Sequence, residues 1–286
     1  MAKASGDIIK RHVQSQAERR RMSKIYFFLF FFTFILVGLI FLVHYDRLLV
    51  KRISVTGNQV VSSDEIFALA QEQLVGNYFY LLPKRNIFFL PKRRIEEAVV
   101  SRMPYVRNLD SEVLESGVFN LRVTEREPAA LWCGIDDQCS FIDDTGFVFS
   151  FAPKFSDNVY LKLSDHTGEN QIGLRPIDGA KFRIIFLTAE TLPIVLKESG
   201  LEKAEVVKVM ITKDKDYDFI ITQPLLNEKL IWTLRLPPNQ ENFSHLLSNL
   251  KAALTAPEFK KSYDVSAGRL DYVDLRFGNK VFYKFR

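Results

Sequence analysis

Residues 25–43 read IYFFLFFFTFILVGLIFLV, nineteen positions without a charge. A helix of that length is about 28 Å long, close to the ~30 Å hydrocarbon core of a bilayer. The run therefore predicts a membrane-spanning helix. A buried helix of a soluble domain and a cleaved signal peptide are the alternatives. The apolar run is long for a signal peptide, and no small-x-small cleavage site follows it.

Beyond the span the apolar positions fall into shorter periods. LLVKRISVTGN, Leu48 to Asn58, reads as a strand ending in a Gly57-Asn58 turn. Ser62 and Glu65 form a capping box ahead of Ile66, Leu69, Ala70 and Leu74, and Gly76 stops that helix. PKRRIEEAVVSRMP predicts a second short helix between Pro91 and Pro104. Two strands follow, joined around Glu115-Ser116-Gly117. The order is strand, helix, helix, strand, strand. Each helix has one apolar face, so a small sheet carrying both helices on one side is the economical packing.

Past Pro128 the pattern turns to short strands at AALWC, SFIDD, FVFSF and VYLKL. Residues 178–200 predict a helix, kinked or split at Pro193. VVKVMITKDKDYDFIIT and KLIWTLRL read as strands around polar turns. ENFSHLLSNLKAAL is an amphipathic helix with Phe243, Leu246, Leu247, Leu250 and Leu254 on one side.

The final fifteen residues, YVDLRFGNKVFYKFR, alternate apolar and charged positions. With Gly278-Asn279 as a two-residue loop, Leu275 opposes Phe282 and Val273 opposes Lys284, which mixes lysines with core residues. With a three-residue loop, Phe277 opposes Val281, Leu275 opposes Tyr283 and Val273 opposes Phe285. One face is then wholly apolar, and Asp274 opposes Lys284 on the other, so this register is expected. In either register the last strand lies at or next to a sheet edge. Lys280, Lys284 and Arg286 can blunt that edge, or a partner peptide can add a strand to it; the pattern alone leaves both open.

The expected architecture is therefore α+β. A tail over 1–24 leads into a transmembrane segment over 25–45. A small sheet with two helices over 46–128 follows, then a mixed domain over 129–286 ending in the edge strand. Charge sharpens this picture. The formal net charge of +5 resides in residues 1–24, which hold seven Lys/Arg against Asp7 and Glu18, and the remainder is neutral. The basic pI belongs to the tail and gives no reason to expect nucleic-acid binding by the folded part. The same asymmetry places the N-terminus in the cytoplasm and the rest of the chain across the membrane. The tail lacks apolar periodicity and is expected to be flexible.

Candidate chemistry is sparse. Asp144-Thr145-Gly146 is the tripeptide of aspartic proteases, but that chemistry needs two facing carboxylates, and no second D-T/S-G occurs. A hairpin turn is the expected role. His12, His44, His166 and His245 show no metal-ligand spacing, and neither a Gly-rich phosphate loop nor a GxSxG elbow is present. No catalytic set, metal or cofactor is expected. Cys133 and Cys139 bracket a turn-forming GIDDQ, and opposed residues of a hairpin lie within disulfide range. A disulfide is expected, with a reduced pair as the alternative and a metal pair least favoured. Residues 77–94 mix Tyr78, Phe79, Tyr80, Phe88 and Phe89 with Lys84, Arg85, Lys92, Arg93 and Arg94. Such a mixture can dip into a membrane interface. The plainer expectation is that the aromatics complete the core and the charges are solvated.

Taken in order, ISVTGNQVVSSDEI, QLVGNYF, MPYV, LRVTEREPAALW, FIDDTGFVF and YVDLRFGNKVFYK resemble the bacterial division family FtsQ/DivIB over about residues 20–286. TEREPAALW and YVDLRF carry most of the likeness. The resemblance implies a cytoplasmic tail, one span, a POTRA domain and a β domain. It also implies a non-enzymatic scaffold at the division septum whose terminal strand docks an FtsB-type partner. FtsL-like proteins and the septal peptidoglycan synthase would belong to the same complex. Carried over by position, the contacts fall on Phe277, Lys280, Val281, Phe282, Tyr283 and Lys284. The rival classes are a POTRA-containing translocation or assembly module and a membrane-anchored cell-wall enzyme.

Overall fold

The computed structural model describes residues 2–114, 117–156, 159–225, 228–238 and 243–286; the side chains of residues 2–21, Leu225 and Phe243 lie outside the description. The fold is mixed α+β. The chain divides into two compact units, Met1–Glu125 and Arg126–Arg286.

The first unit opens with α1 (Ala2–Val43). Its stretch Met22–Val43 is long and apolar enough to cross a bilayer, and none of it is buried within the protein. The tail expected to be flexible is instead the first half of this helix. From Asp7 onward it contains neither Gly nor Pro, and its Arg, Lys and Gln residues have good helix propensity.

The folded part of this unit runs β1 (Arg52–Thr56), α2 (Ser63–Leu74), β2 (Asn77–Tyr78), β3 (Leu82–Pro83), α3 (Lys92–Arg102), β4 (Val106–Val113) and β5 (Val118–Glu125). The sheet order is β1-β5-β4, with β1 parallel and β4 antiparallel to β5. The expected Glu115-Ser116 turn between β4 and β5 lies outside the described residues. Gly57 ends β1 with φ +86°, and a Cβ there would meet the Val123 carbonyl oxygen at 2.4 Å, so only glycine fits. The Ser62 hydroxyl caps α2 by accepting the Asp64 N–H at 3.3 Å. Ile66, Ala70 and Leu74 of α2 and Ile95 and Val99 of α3 are buried with Leu109, Phe119, Leu121 and Val123 of the sheet. Glu125 closes the β1–α2 loop by accepting the N–H groups of Gln59, Val60 and Val61 at 2.8–3.0 Å. Burial pushes its carboxyl pKa up, but these donors outweigh that and hold it below the usual range.

The α2–α3 linker departs from the plainer expectation for three of its five aromatics, while Tyr78 and Phe89 are half-buried. Phe79, Tyr80 and Phe88 are exposed rather than built into the core. The linker meets the core through Ile87 and Leu90 instead, and its first part folds back as the small β2–β3 hairpin.

The second unit comprises β6 (Ala130–Cys133), β7 (Cys139–Ile142), β8 (Val148–Phe151), β9 (Lys162–Asp165), α4 (Gly179–Glu198), β10 (Glu205–Ile211), β11 (Tyr217–Leu225), β12 (Glu228–Leu236), α5 (Phe243–Thr255), α6 (Pro257–Val265), β13 (Leu270–Phe277) and β14 (Lys280–Phe285). The strands form one sheet in the order β14-β13-β12-β11-β10-β9-β6-β7-β8. The α4 helix packs on β10, and α5 on α4 and β14. Trp132, Trp232, Phe219, Val209 and Val273 meet Phe182, Ile185, Leu192, Leu250 and Leu254 in one core. Asp178 caps α4 by accepting the Lys181 N–H at 2.9 Å, and the helix runs unsplit through Pro193. Leu192 and Leu196 are fully buried on either side of that proline, and tertiary packing of this kind overrides local propensity.

Candidate partner-binding edge

The terminal hairpin differs from its expected register. Phe277 opposes Lys280, so Gly278-Asn279 forms a two-residue turn with Gly278 at φ +67°. The lysines stay out of the core because β13 bulges. Leu275 and Arg276 together face the single residue Val281, after which Asp274 opposes Phe282 and Val273 opposes Tyr283. A second irregularity at Asp271 precedes the Leu270–Phe285 pair. The three-residue loop is thus replaced by a tight turn plus a bulge, which restores one apolar face by a different route.

A charge cluster holds the first bulge. The buried Asp274 carboxylate accepts the Arg276 backbone N–H at 3.0 Å and its guanidinium at 2.7–3.2 Å, and Arg276 also donates to Asp216 at 2.8 Å. Burial pushes the Asp274 pKa up, yet the Arg276 bonds outweigh it and keep the group below the usual aspartate range. Hydrogen bonds to Asp274 and then Asp216 raise the Arg276 pKa further. On the neighbouring strands Asp218 is raised by burial, against the pull of Arg235 and Arg276.

The two faces of β14 do different work. Val281, Tyr283 and Phe285 pack on the core. Beneath them lie Phe259 and Tyr263 of α6, with Phe259 5.0 Å from Tyr283 and 5.5 Å from Phe285 between ring centroids. Sequence reasoning missed α6, although Pro257 at its first turn and aromatics spaced i, i+4 were available signals. On the opposite face Phe277 and Phe282 are exposed and stack edge to face at 5.2 Å. Lys280 and Lys284 share that surface, Lys284 reaching Asp271 at 3.6 Å. The six positions carried over by the resemblance therefore split. Phe277, Lys280, Phe282 and Lys284 face outward, while Val281 and Tyr283 face the core.

Backbone direction follows by alternation. The Arg286 N–H donates to Arg269, toward the β13 side. Residues 280, 282 and 284 share that direction, so the amides and carbonyls of Val281, Tyr283 and Phe285 point away from the sheet. No strand pairs with that side among the described residues. The other end of the sheet is treated differently. At β8, Val148 donates to Leu174 and accepts from Gly173, so an irregular segment covers that edge.

Cys133 and Cys139 oppose each other across β6 and β7 and are joined as a disulfide, their Cα atoms 4.0 Å apart. A cleft of about 570 Å³ beside this hairpin is lined by Asp136, Asp137, Phe151, Lys154, Phe155 and Lys162. Asp144-Thr145-Gly146 lies in the β7–β8 turn. The organising acid there is Asp143, which accepts from the Thr145 hydroxyl, the Thr145 N–H and the Phe147 N–H at 2.7–3.0 Å and from Arg126. Burial raises its pKa, but the Thr145, Phe147 and Arg126 donors outweigh it and lower it overall. A Cβ on Gly146, at φ +80°, would lie 1.9 Å from the Ile177 carbonyl oxygen. The Arg126–Asp143 pair was not read from the sequence; Arg126 ahead of Pro128 and Asp143 ahead of the turn were its only trace. Among the described residues no cluster of His, Cys, Asp or Glu side chains is placed to hold a metal. In comparison with known proteins, the chain matches no family model and no curated protein.

Proposed function

We propose that this chain is a non-enzymatic, single-span membrane scaffold of the bacterial division septum, of the FtsQ/DivIB type. In this reading α1 anchors it with the N-terminus in the cytoplasm. The β1–α2–α3–β4–β5 unit corresponds to the POTRA domain and the nine-stranded unit to the β domain. The observation that carries the mechanism is the unpaired outer side of β14, framed by Phe277, Lys280, Phe282 and Lys284. The ordered sequence resemblance supplies the family.

Recruitment then works by strand addition. A segment of an FtsB- or FtsL-like partner aligns with β14 and bonds to the outward amides and carbonyls of Val281, Tyr283 and Phe285. At about 1 kcal/mol net per hydrogen bond, this short ladder supplies about 3–6 kcal/mol. Alone that is roughly a millimolar contact. Affinity and choice of partner must therefore come from side chains, and the Phe277–Phe282 pair is the apolar anchor within reach. The septal synthase would join through the assembled complex. The test is a fluorescent fusion of the full chain in dividing cells, combined with a photo-crosslinker at Phe282. Midcell signal and a crosslinked small membrane partner are expected. Uniform membrane signal, or a midcell fusion that never crosslinks through β14, overturns the septal role or the docking site respectively.

A further inference from the structure

We propose that the β2–β3 hairpin is a second membrane contact, its Phe79–Tyr80–Leu81 tip seated among the lipid headgroups beside the end of α1. The hairpin pairs Asn77 with Pro83 and Tyr78 with Leu82, leaving three large side chains at the tip. Phe79 and Tyr80 are 87% and 96% exposed. Both also hold the left-handed backbone region, with φ 49° and 63°. A turn that needed only this geometry would use Gly, Asn or Asp, because other residues carry a cost of about 1 kcal/mol there. Two adjacent aromatics in that conformation, touching no core, point to something outside the protein that receives them.

The tether identifies that receiver as lipid. The fully buried Asn86 donates through Nδ2 to the carbonyl of Val43, the last residue of α1, at 2.8 Å. Ile87 donates to Leu48 and Val50 to Arg85, both at 2.9 Å, and α1 touches β3. The linker is thus fixed at the point where the apolar helix ends. The tip lies only a few residues beyond β3, on the order of 10 Å at strand rise. Lys84 and Arg85 follow the hairpin directly, and Tyr45 and Phe88 are also exposed near this end. Aromatic bodies with flanking cations match the interfacial zone of a bilayer, and the cations favour anionic headgroups.

The inference rests on α1 spanning the membrane, and the experiment separates the two. Because both native cysteines are joined to each other, one introduced thiol can be labelled alone. Full-length Tyr80→Cys carries an environment-sensitive fluorophore and is reconstituted into nanodiscs of phosphatidylcholine with phosphatidylglycerol and spin-labelled lipid. Val60→Cys, an exposed site in the β1–α2 loop, is the reference. The label at position 80 should shift to the blue and be quenched, whereas the label at 60 should not. Adding Lys84→Glu and Arg85→Glu should reduce the quenching. A label at 80 as unquenched as that at 60, in a chain that does enter the discs, overturns the proposal and leaves the tip for a protein partner. A chain that never enters the discs overturns the span on which the proposal rests.

Discussion

The two exposed hairpins both show aromatic rings to their surroundings, yet they offer different kinds of contact. The β13–β14 hairpin ends a nine-stranded sheet and is backed by Phe259 and Tyr263. Behind Phe282 stands a row of outward amides and carbonyls that another backbone can read. The β2–β3 hairpin has two-residue strands and no such row. What it presents is the apolar body of Phe79, Tyr80 and Leu81. An exposed aromatic does not define an interface; the backbone behind it decides whether a strand or a lipid surface can use it.

Adjacent prolines in β14 break this comparison most sharply. Phe282 directs its N–H toward β13, so Phe282→Pro removes a ladder bond and should cost about 3 kcal/mol of stability in the second unit. Val281 directs its N–H outward, where proline is tolerated on an edge strand. Val281→Pro should lose only about 1 kcal/mol, from partial packing. Partner binding, however, should fall more than about tenfold, since one ladder bond is lost and the ring obstructs the incoming strand. Denaturant unfolding and a partner pull-down measure the two effects. Equal destabilisation by both prolines would contradict the assigned backbone direction.

Asp274 tests what holds the edge in place. Replacing it with alanine leaves the partly buried Arg276 with Asp216 alone and should cost about 2 kcal/mol. Its pKa is lowered in the folded state, so its stabilisation is present above the unfolded aspartate value and is lost as pH falls through the lower, folded value. The wild type should therefore lose stability below about pH 4, and Asp274→Asn should flatten part of that slope. Asp143 and Glu125 act with the same sign, whereas Asp218, whose pKa is raised, gains on protonation. The difference between wild type and Asp274→Asn isolates the edge from these. An unchanged acid slope in Asp274→Asn would show that the bulge does not depend on this carboxylate.

Periodicity made the apolar part of α1, the two-helix unit and the terminal edge legible, because each rests on local pattern. Features set by long-range pairing were not. The β13 bulge is held by Asp274 and Arg276, two positions apart, but Arg276 also reaches Asp216, sixty positions earlier in the chain, and that part of the cluster no window of sequence displays. The pattern did identify the problem correctly, since a two-residue loop would misplace the lysines. It lacked the means to see that a bulge removes the conflict. The linker aromatics were misread for the opposite reason. Apolar residues are expected inside, and nothing local reveals that Ile87 and Leu90, not Phe79, Tyr80 and Phe88, are the linker residues that meet the core. The small helix α6 was overlooked because its apolar stripe is only Phe259 and Tyr263.

The finest distinction between the hairpins lies in Asn86. Its side chain donates to the Val43 carbonyl and accepts the Phe88 N–H at 3.0 Å, and both bonds are buried at their Asn86 end. Asn86→Ala removes them together, a loss of about 1–2 kcal/mol. The loss should be local, because the linker can open without unfolding either core. Hydrogen exchange of Ile87, Phe88 and Lys84 should accelerate, while the amides of β14 and the unfolding midpoint of the second unit stay unchanged. In nanodiscs the fluorophore at position 80 should lose part of its quenching, since the tip is then no longer held at the end of α1. Faster exchange without any change in quenching would mean that the tip finds the lipid without this tether. The side chains of Phe79 and Tyr80 would then carry the contact by themselves, and Asn86 would serve only to close the linker.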